Sequence, residues 1–450
     1  MSAPTLGWLG IFRLGLVQTA LGAIVVLTTS TLNRIMVVEL ALPAMLPGAL
    51  VAVHYALQFL RPRLGHGSDV GGRRTPWILG GMVVLATGGM IASLATAWMA
   101  TDVASGIVLA FAGFVLIGVG VGAAGTSLLV LLAKRVDDRR RAPAATIVWI
   151  MMIAGFAVTA GVAGHLLDPY TPARLVAVTG VVCAAALVVT ALALWGVEGE
   201  GAGTGPATEP KSTLPFREAL AQVWGETQSR RFTVFIFVSM LAYGAQDLIL
   251  EPFAGAVFGL TPGQSTKLSG TQHGGVLAGM LLVAVVCGVG RGARPGRLRQ
   301  WTVAGCVASA IALLSLAVAG FVGPQWPLTA SVFALGVANG AYAIAAIGSM
   351  MALVVSGAKS REGVRMGLWG AAQALAFGTG GFLGTVAIDA ARGVTDSPLL
   401  AYATVFAAEG LLFLVAAWLA TRVESATRAP SSDREPEGAA PAFSLETRGA

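Results

Sequence analysis

The sequence predicts an all-α polytopic membrane protein with twelve transmembrane helices in two six-helix bundles. Three observations predict it: a series of apolar spans, an alternation of charge between their loops, and a trace of repetition between the halves. Of 450 residues, 56% are hydrophobic and 11% charged, against roughly 25% charged in an average soluble domain. A soluble core does not call for repeated apolar runs of about 20 residues. The hydrocarbon layer of a bilayer does.

The spans fall at 14–32, 40–60, 77–98, 105–133, 143–167, 173–196, 232–254, 268–290, 300–321, 327–355, 364–388 and 398–420. The loops after the even-numbered spans, with their flanks, carry 20 of the 29 Lys and Arg residues. The opposite loops carry Arg34, Arg174, Lys267 and Arg392. The excess of positive charge places the first set of loops, and both termini, in the cytoplasm. An offset of 220 residues superposes Arg141 on Arg361, Trp149 on Trp369, Gly161 on Gly381 and Gly164 on Gly384. Glycine is too common here, at 59 residues, for its matches to count alone. The tryptophan pair in the same helical register marks spans 1–6 and 7–12 as related bundles.

This organisation divides the chain into a first bundle (1–196), a cytoplasmic linker (197–231), a second bundle (232–421) and a disordered cytoplasmic tail (422–450). Glu198 to Thr213 is rich in Gly, Pro, Thr and Glu and reads as a flexible connection. After it, Phe216, Leu220, Val223 and Trp224 share one helical face opposite Arg217, Glu218 and Gln222, as in a helix lying on the membrane interface. The N-terminus shows neither a basic n-region nor a cleavage site. Cys183, Cys287 and Cys306 lie within spans and show no metal-binding spacing. The net charge of +7 is dispersed over short loops, which points to anionic lipid headgroups and away from nucleic acid.

The loop after span 2, Gly65-His-Gly-Ser-Asp69-Val-Gly-Gly72-Arg73-Arg74, resembles the loop between the second and third helices of major facilitator superfamily transporters. Gly65 permits a sharp exit from a helix, Asp69 suits a cap or an ion pair, and Arg73 and Arg74 anchor this end at the headgroups. Val70 stands where members of that superfamily carry a basic residue. The loop after span 8, Arg291 to Arg299, keeps the arginines and lacks the aspartate.

Ionisable groups at membrane depth are costly and are functional candidates by default. Asn33, Arg34 and Glu39 close span 1; Gln246, Asp247 and Glu251 close span 7. Asp247 and Glu251 are four residues apart and share a helix face. In a major facilitator fold, spans 1 and 7 both border the central cavity, so Arg34 is expected to pair with Asp247 or Glu251. These charges read as a latch between the bundles, as residues in interfacial water, or as ligand contacts. Glu409 lies mid-span without a local partner, whereas Gln58, Asn339 and Gln373 are explained by helix–helix hydrogen bonds.

Arg13-Leu-Gly-Leu-Val-Gln18, Thr31-Leu-Asn-Arg-Ile-Met-Val-Val-Glu-Leu40 and Gln246-Asp-Leu-Ile-Leu-Glu-Pro-Phe-Ala-Gly255 resemble the PucC/LhaA family of purple phototrophic bacteria, the bacteriochlorophyll delivery group of the same superfamily. The resemblance covers nearly all of the membrane region. It implies a bacterial inner, intracytoplasmic photosynthetic membrane and a role in assembling light-harvesting antenna. The partners it implies are antenna polypeptides or pigment-synthesis enzymes, and the pigment is bacteriochlorophyll or a precursor. Histidine supplies a nitrogen ligand for a chlorin magnesium. His273, with Gln272 before it and Gly270, Gly274 and Gly275 around it, offers a flat approach; His54 sits among bulkier residues. His66 and His165 fall to loop and interface.

Enzyme chemistry is not indicated. Asp137-Asp138 is followed by three arginines and lacks the further aspartates that a magnesium diphosphate site needs. Gly118-Val-Gly-Val-Gly122 and Gly336-x-x-x-Gly340 mark helix packing, since no strand precedes them and no Lys-Ser/Thr follows. An ordinary proton-coupled secondary transporter, using Asp247, Glu251 or Glu409, is the alternative reading. A structural scaffold for partner membrane proteins is the third.

Overall fold

The computed structural model describes residues 6–60, 73–198, 216–287, 295–356 and 362–423. Gly65, Asp69 and Gly72 of the loop motif lie outside them, as do 199–215 of the linker and the tail from 424. Among the described residues there is helix and no strand. Lipid supplies no partner for an open backbone N–H or C=O, and a helix satisfies its own.

We number the helices α1 (Trp8–Glu39), α2 (Met45–Ala56), α3 (Thr75–Trp98), α4 (Val103–Arg135), α5 (Asp138–Leu166) and α6 (Pro172–Leu194). A short α7 (Phe216–Gly225) follows. The second set is α8 (Thr227–Phe258), α9 (Pro262–Cys287), α10 (Pro295–Val322), α11 (Leu328–Ser356), α12 (Glu362–Thr395) and α13 (Pro398–Arg422). Eleven are long and apolar enough to cross a bilayer, and α2 is a shorter apolar helix. Its 12 residues rise about 18 Å, against the 21 residues expected. Pro43 and the left-handed Ala41, with φ of 50°, delay its start, and a 3₁₀ turn over Leu57–Leu60 ends it. Span 1 errs the other way. Helix α1 runs on to Glu39, carrying Asn33 and Arg34 inside the bundle.

The packing repeats. Helix α1 packs on α5 and α6, α3 on α4 and α6, and α2 on α4; correspondingly, α8 packs on α12 and α13, α10 on α11 and α13, and α9 on α11. Between the bundles α5 packs on α9, and α2 on α12. The correspondence that turns α2 into α9 turns α5 into α12, so the two interfaces exchange under a pseudo-two-fold axis. This is the major facilitator fold.

The bundles are filled differently. The second contains aromatic contacts, with Phe232 against Trp369 at 4.9 Å and Phe253 against Phe406 at 4.9 Å. Small residues close both: a Cβ on Gly120 would fall against the Leu85 backbone in the first bundle, and one on Gly279 against the Val337 carbonyl in the second. In lipid, where apolar burial drives little association, such backbone proximity does the packing. We call the end where α1 finishes the distal end, and the end where the chain begins the proximal end.

At the proximal end Arg13 donates to the carbonyls of Leu192, Ala193 and Trp195. It satisfies acceptors that the last turn of α6 leaves open. Glu198, expected in a flexible linker, is instead buried. Its carboxylate accepts the backbone N–H groups of Arg74 at 2.6 Å and Thr75 at 2.8 Å, and its carbonyl accepts from Arg135. The first turn of α3 has donors and no intrahelical acceptors for them, and Glu198 supplies the acceptors. Burial pushes this carboxyl up, but the two amides and the Arg74 guanidinium outweigh it and hold it below its ordinary value.

Candidate functional site

The candidate site begins with a run of hydroxyls in an apolar helix, Thr28-Thr-Ser-Thr31. Thr28 and Thr29 bond back to the carbonyls of Ile24 and Val25 at 2.9–3.0 Å, an arrangement that loosens helical turns. Helix α1 widens to π-helix over Leu27–Thr31 and again over Ile35–Glu39. From Val26 to Val37 it is buried on every side. Ser30, Thr31, Asn33 and Arg34 are thereby surrounded by the opposite bundle, and each meets it.

Ser30 Oγ donates to Glu251 Oε1 on α8 at 2.6 Å and lies 3.5 Å from Ser269 Oγ on α9. Thr266 Oγ1 donates to Glu251 Oε2 at 3.4 Å, and Thr31 and Thr266 hydroxyls are 3.3 Å apart. Asn33 Nδ2 donates to the Leu248 carbonyl, and Arg34 Nη2 to the Leu260 carbonyl at 2.6 Å. A seam of hydroxyl, amide and guanidinium groups thus joins α1 to α8 and α9.

Arg34 departs from expectation. It pairs with Glu39, five residues along its own helix, and not with Asp247 or Glu251. The second π segment spans Ile35–Glu39 and separates the two charges by one wide turn. Glu251 takes its hydrogen bonds from hydroxyls instead.

On the proximal side of the seam lie Asp247, half-buried, and His273, 5% exposed, within electrostatic reach of each other. Tyr243, one turn before Asp247, meets Phe377 of α12 at 5.4 Å, and Phe377 meets Tyr55 of α2 at 5.6 Å. His273 Nδ1 is 2.9 Å from the Ser269 carbonyl. A carbonyl only accepts, so Nδ1 carries the proton and Nε2 is left as the basic nitrogen of the neutral ring.

That tautomer suits a magnesium ligand, but the surroundings do not admit a macrocycle. A Cβ on Gly270 would press on Gly161 and Ala157 of α5, and one on Gly275 on the Phe333 carbonyl of α11. Those glycines bring helices together, and only Gly274 of the three faces open space. Phe156 stands edge-on to the imidazole at 5.1 Å. His54 is 2% exposed and edge-on to Tyr55 at 4.8 Å. In this arrangement neither histidine presents a free face for a chlorin ring.

The other candidates are dispersed. Gln246 Nε2 and Oε1, Gln272 Nε2 and both carboxylate oxygens of Glu409 are buried without a hydrogen bond among the described residues. Arg74 is buried beside Glu198, and Arg73 is exposed. Sequence reasoning passed over Ser30, Thr266 and Ser269. The signal for Ser30 was four consecutive hydroxyl residues inside an apolar span; the other two read as ordinary helix hydroxyls.

Two pseudo-equivalent six-helix bundles meeting over a polar seam define a membrane protein of the major facilitator class. A bacterial homolog of the human lysosomal transporter Spinster, solved inward-facing and unoccupied, matches with a TM-score of 0.67 at 14% identity, covering 94% of this chain and 98% of that one. The nucleoside transporter NupG matches at 0.66 and 13% identity, covering 92% and 99%. Identities this low carry the fold alone. Within that class the chain belongs to the PUCC protein family, whose profile matches residues 31–428. It is 53% identical over 422 residues to the "Bacteriochlorophyll synthase 44.5 kDa chain" of Rhodobacter capsulatus, covering 94% of this chain and 97% of that protein. It is 31% identical over 424 residues to "Protein PucC" of the same species, covering 90% of each.

Proposed function

We propose that the chain is an assembly factor for photosynthetic light-harvesting antenna, handing over bacteriochlorophyll or chaperoning antenna polypeptides, and not a catalyst. Family membership along nearly the whole chain carries this reading, together with the pigment named in a close relative. The hydroxyls of the site are committed to contacts between helices: Ser30 and Thr266 donate to Glu251, and Thr31 and Thr266 face each other. Because His273 and His54 are enclosed, hand-over belongs to the lipid-facing surface, or to the space between the bundles after they part. The membrane would be the bacterial inner, photosynthetic one, with both termini cytoplasmic. Residues 1–196 and 232–421 would act as the two moving units.

The buried carboxylates Glu251 and Glu409, with half-buried Asp247, favour one rival, a proton-coupled carrier.

Deleting the gene in a phototroph and extracting total pigment separates the readings. An assembly factor leaves bacteriochlorophyll synthesis intact while antenna absorbance disappears. A strain that stops making the pigment returns the chain to the enzymes, and proton-driven solute uptake by vesicles makes it a carrier.

A further inference from the structure

Two aspartates that no sequence pattern singled out close the distal end. Asp168 follows α5 in the first bundle. Its Oδ1 accepts the Thr261 hydroxyl at 2.8 Å and the Gly263 N–H at 3.2 Å, at the start of α9 in the second. Asp389, near the end of α12 in the second bundle, accepts the N–H groups of Ala44 at 2.9 Å and Met45 at 2.7 Å, at the start of α2 in the first. Each carboxylate therefore caps a helix of the other bundle.

The two contacts are images of one another. The pseudo-two-fold that exchanges α2 with α9 and α5 with α12 carries Asp168 close to Asp389. Each sits beside a glycine where the helices touch: a Cβ on Gly263 would collide with Asp168 and the Gly164 carbonyl, and one on Gly48 with the Thr385 hydroxyl. A carboxylate at a helix N-terminus meets unsatisfied N–H donors and the positive end of the helix dipole together. Both aspartates are only partly buried, so water can replace either contact when the helices part. The Ser30–Glu251 and Thr31–Thr266 contacts lie deeper, between them.

We propose that Asp168 and Asp389 are a symmetric pair of latches holding the distal end of the two bundles shut, and that the chain works by releasing them together. The chain is then a machine with a gate and not a static scaffold. This holds whichever cargo it handles, so its failure would leave the assembly reading standing.

The test uses the full-length purified chain with Cys183 and Cys287 replaced, Cys306 kept, and Thr266→Cys introduced. Cys306 is fully buried inside the second bundle and reports unfolding; position 266 lies in the seam and reports opening. Labelling by a hydrophilic maleimide proceeds at a rate proportional to the open fraction when closing is fast. Asp168→Asn and Asp389→Asn each should speed labelling at position 266 about five-fold, and the double variant about twenty-five-fold, with Cys306 unreactive. Asp→Ala at both positions, which removes the acceptor as well as the charge, should do at least as much as Asn. An unchanged rate in the double variants overturns the proposal. So does equal acceleration at Cys306, which assigns the effect to unfolding.

Discussion

The two ends of the bundle are bonded on different plans. At the distal end polar groups cross between the bundles: Ser30 to Glu251, Asn33 to Leu248, Arg34 to Leu260, Asp168 to Gly263 and Asp389 to Met45. At the proximal end the described polar contacts of Arg13 and Glu198 stay within the first bundle, and Arg231 meets the Arg422 carbonyl within the second. Contacts inside a bundle keep it rigid, whereas contacts across the middle decide whether it opens. The same residue types thus do two jobs, according to whether their partner belongs to the same six helices.

Substitutions at four positions test that difference. Arg34→Ala should have the largest effect. It removes a fully buried guanidinium held by Glu39 and Leu260, costing about 3 kcal/mol, the low end for a broken buried pair because Glu39 keeps water contact. Thermal unfolding in detergent should show the loss, and the Thr266→Cys labelling rate should rise. Arg34→Lys should recover little, lacking the forked donors. A stable variant with slow labelling would remove Arg34 from the seam.

Gly270→Val comes next, at about 2 kcal/mol, because its side chain meets the α5 backbone and a packed contact cannot absorb it. Since α5 and α9 belong to different bundles, labelling should accelerate here too. Arg13→Ala should cost about 1–2 kcal/mol by uncapping α6. Its signature is a lowered melting temperature with unchanged distal labelling; faster labelling would mean the ends are coupled.

Glu198 gives the smallest effect and the only one with a pH signature. Its carboxyl is held below its ordinary value in the fold, so its contribution is complete above roughly pH 4.5 and declines as pH falls through the lowered folded value. The stability gap between the native chain and Glu198→Gln should be constant from neutral pH to about pH 5 and shrink below about pH 4. A gap that widens on acidification would show that the carboxyl is bound in its protonated form.

The reach of the sequence follows from what sets each feature. The bilayer imposes a length on a helix that crosses it, so hydropathy located the eleven long helices, whereas the shortening of α2 was not legible, and loop charge predicted which ends lie together. Arg34 and Glu251 were legible as costly charges in apolar surroundings. Their partners were not, because Ser30 and Glu251 are 221 positions apart and nothing local to either names the other. The pairing of Arg34 with Glu39 depended on a π segment, and an α-helical wheel does not contain one.

Glycine shows the same boundary. Sequence marks Gly270 and Gly275 as places where something approaches a backbone; that the visitor is a helix and not a pigment follows only from the positions of α5 and α11. Glu198 stands at the head of a linker-like run, and its docking appears only once α3 presents unsatisfied N–H groups beside it. Asp168 and Asp389 are unremarkable loop and helix-end acids until the pseudo-two-fold brings each to the other bundle's helix start. Composition and periodicity are properties of neighbours along the chain, and they determined the class and the spans; the family was legible only through the resemblance of three motifs. Which carboxylate meets which donor depends on the packing of two bundles around an axis that no stretch of sequence contains, and only the tertiary structure decided it.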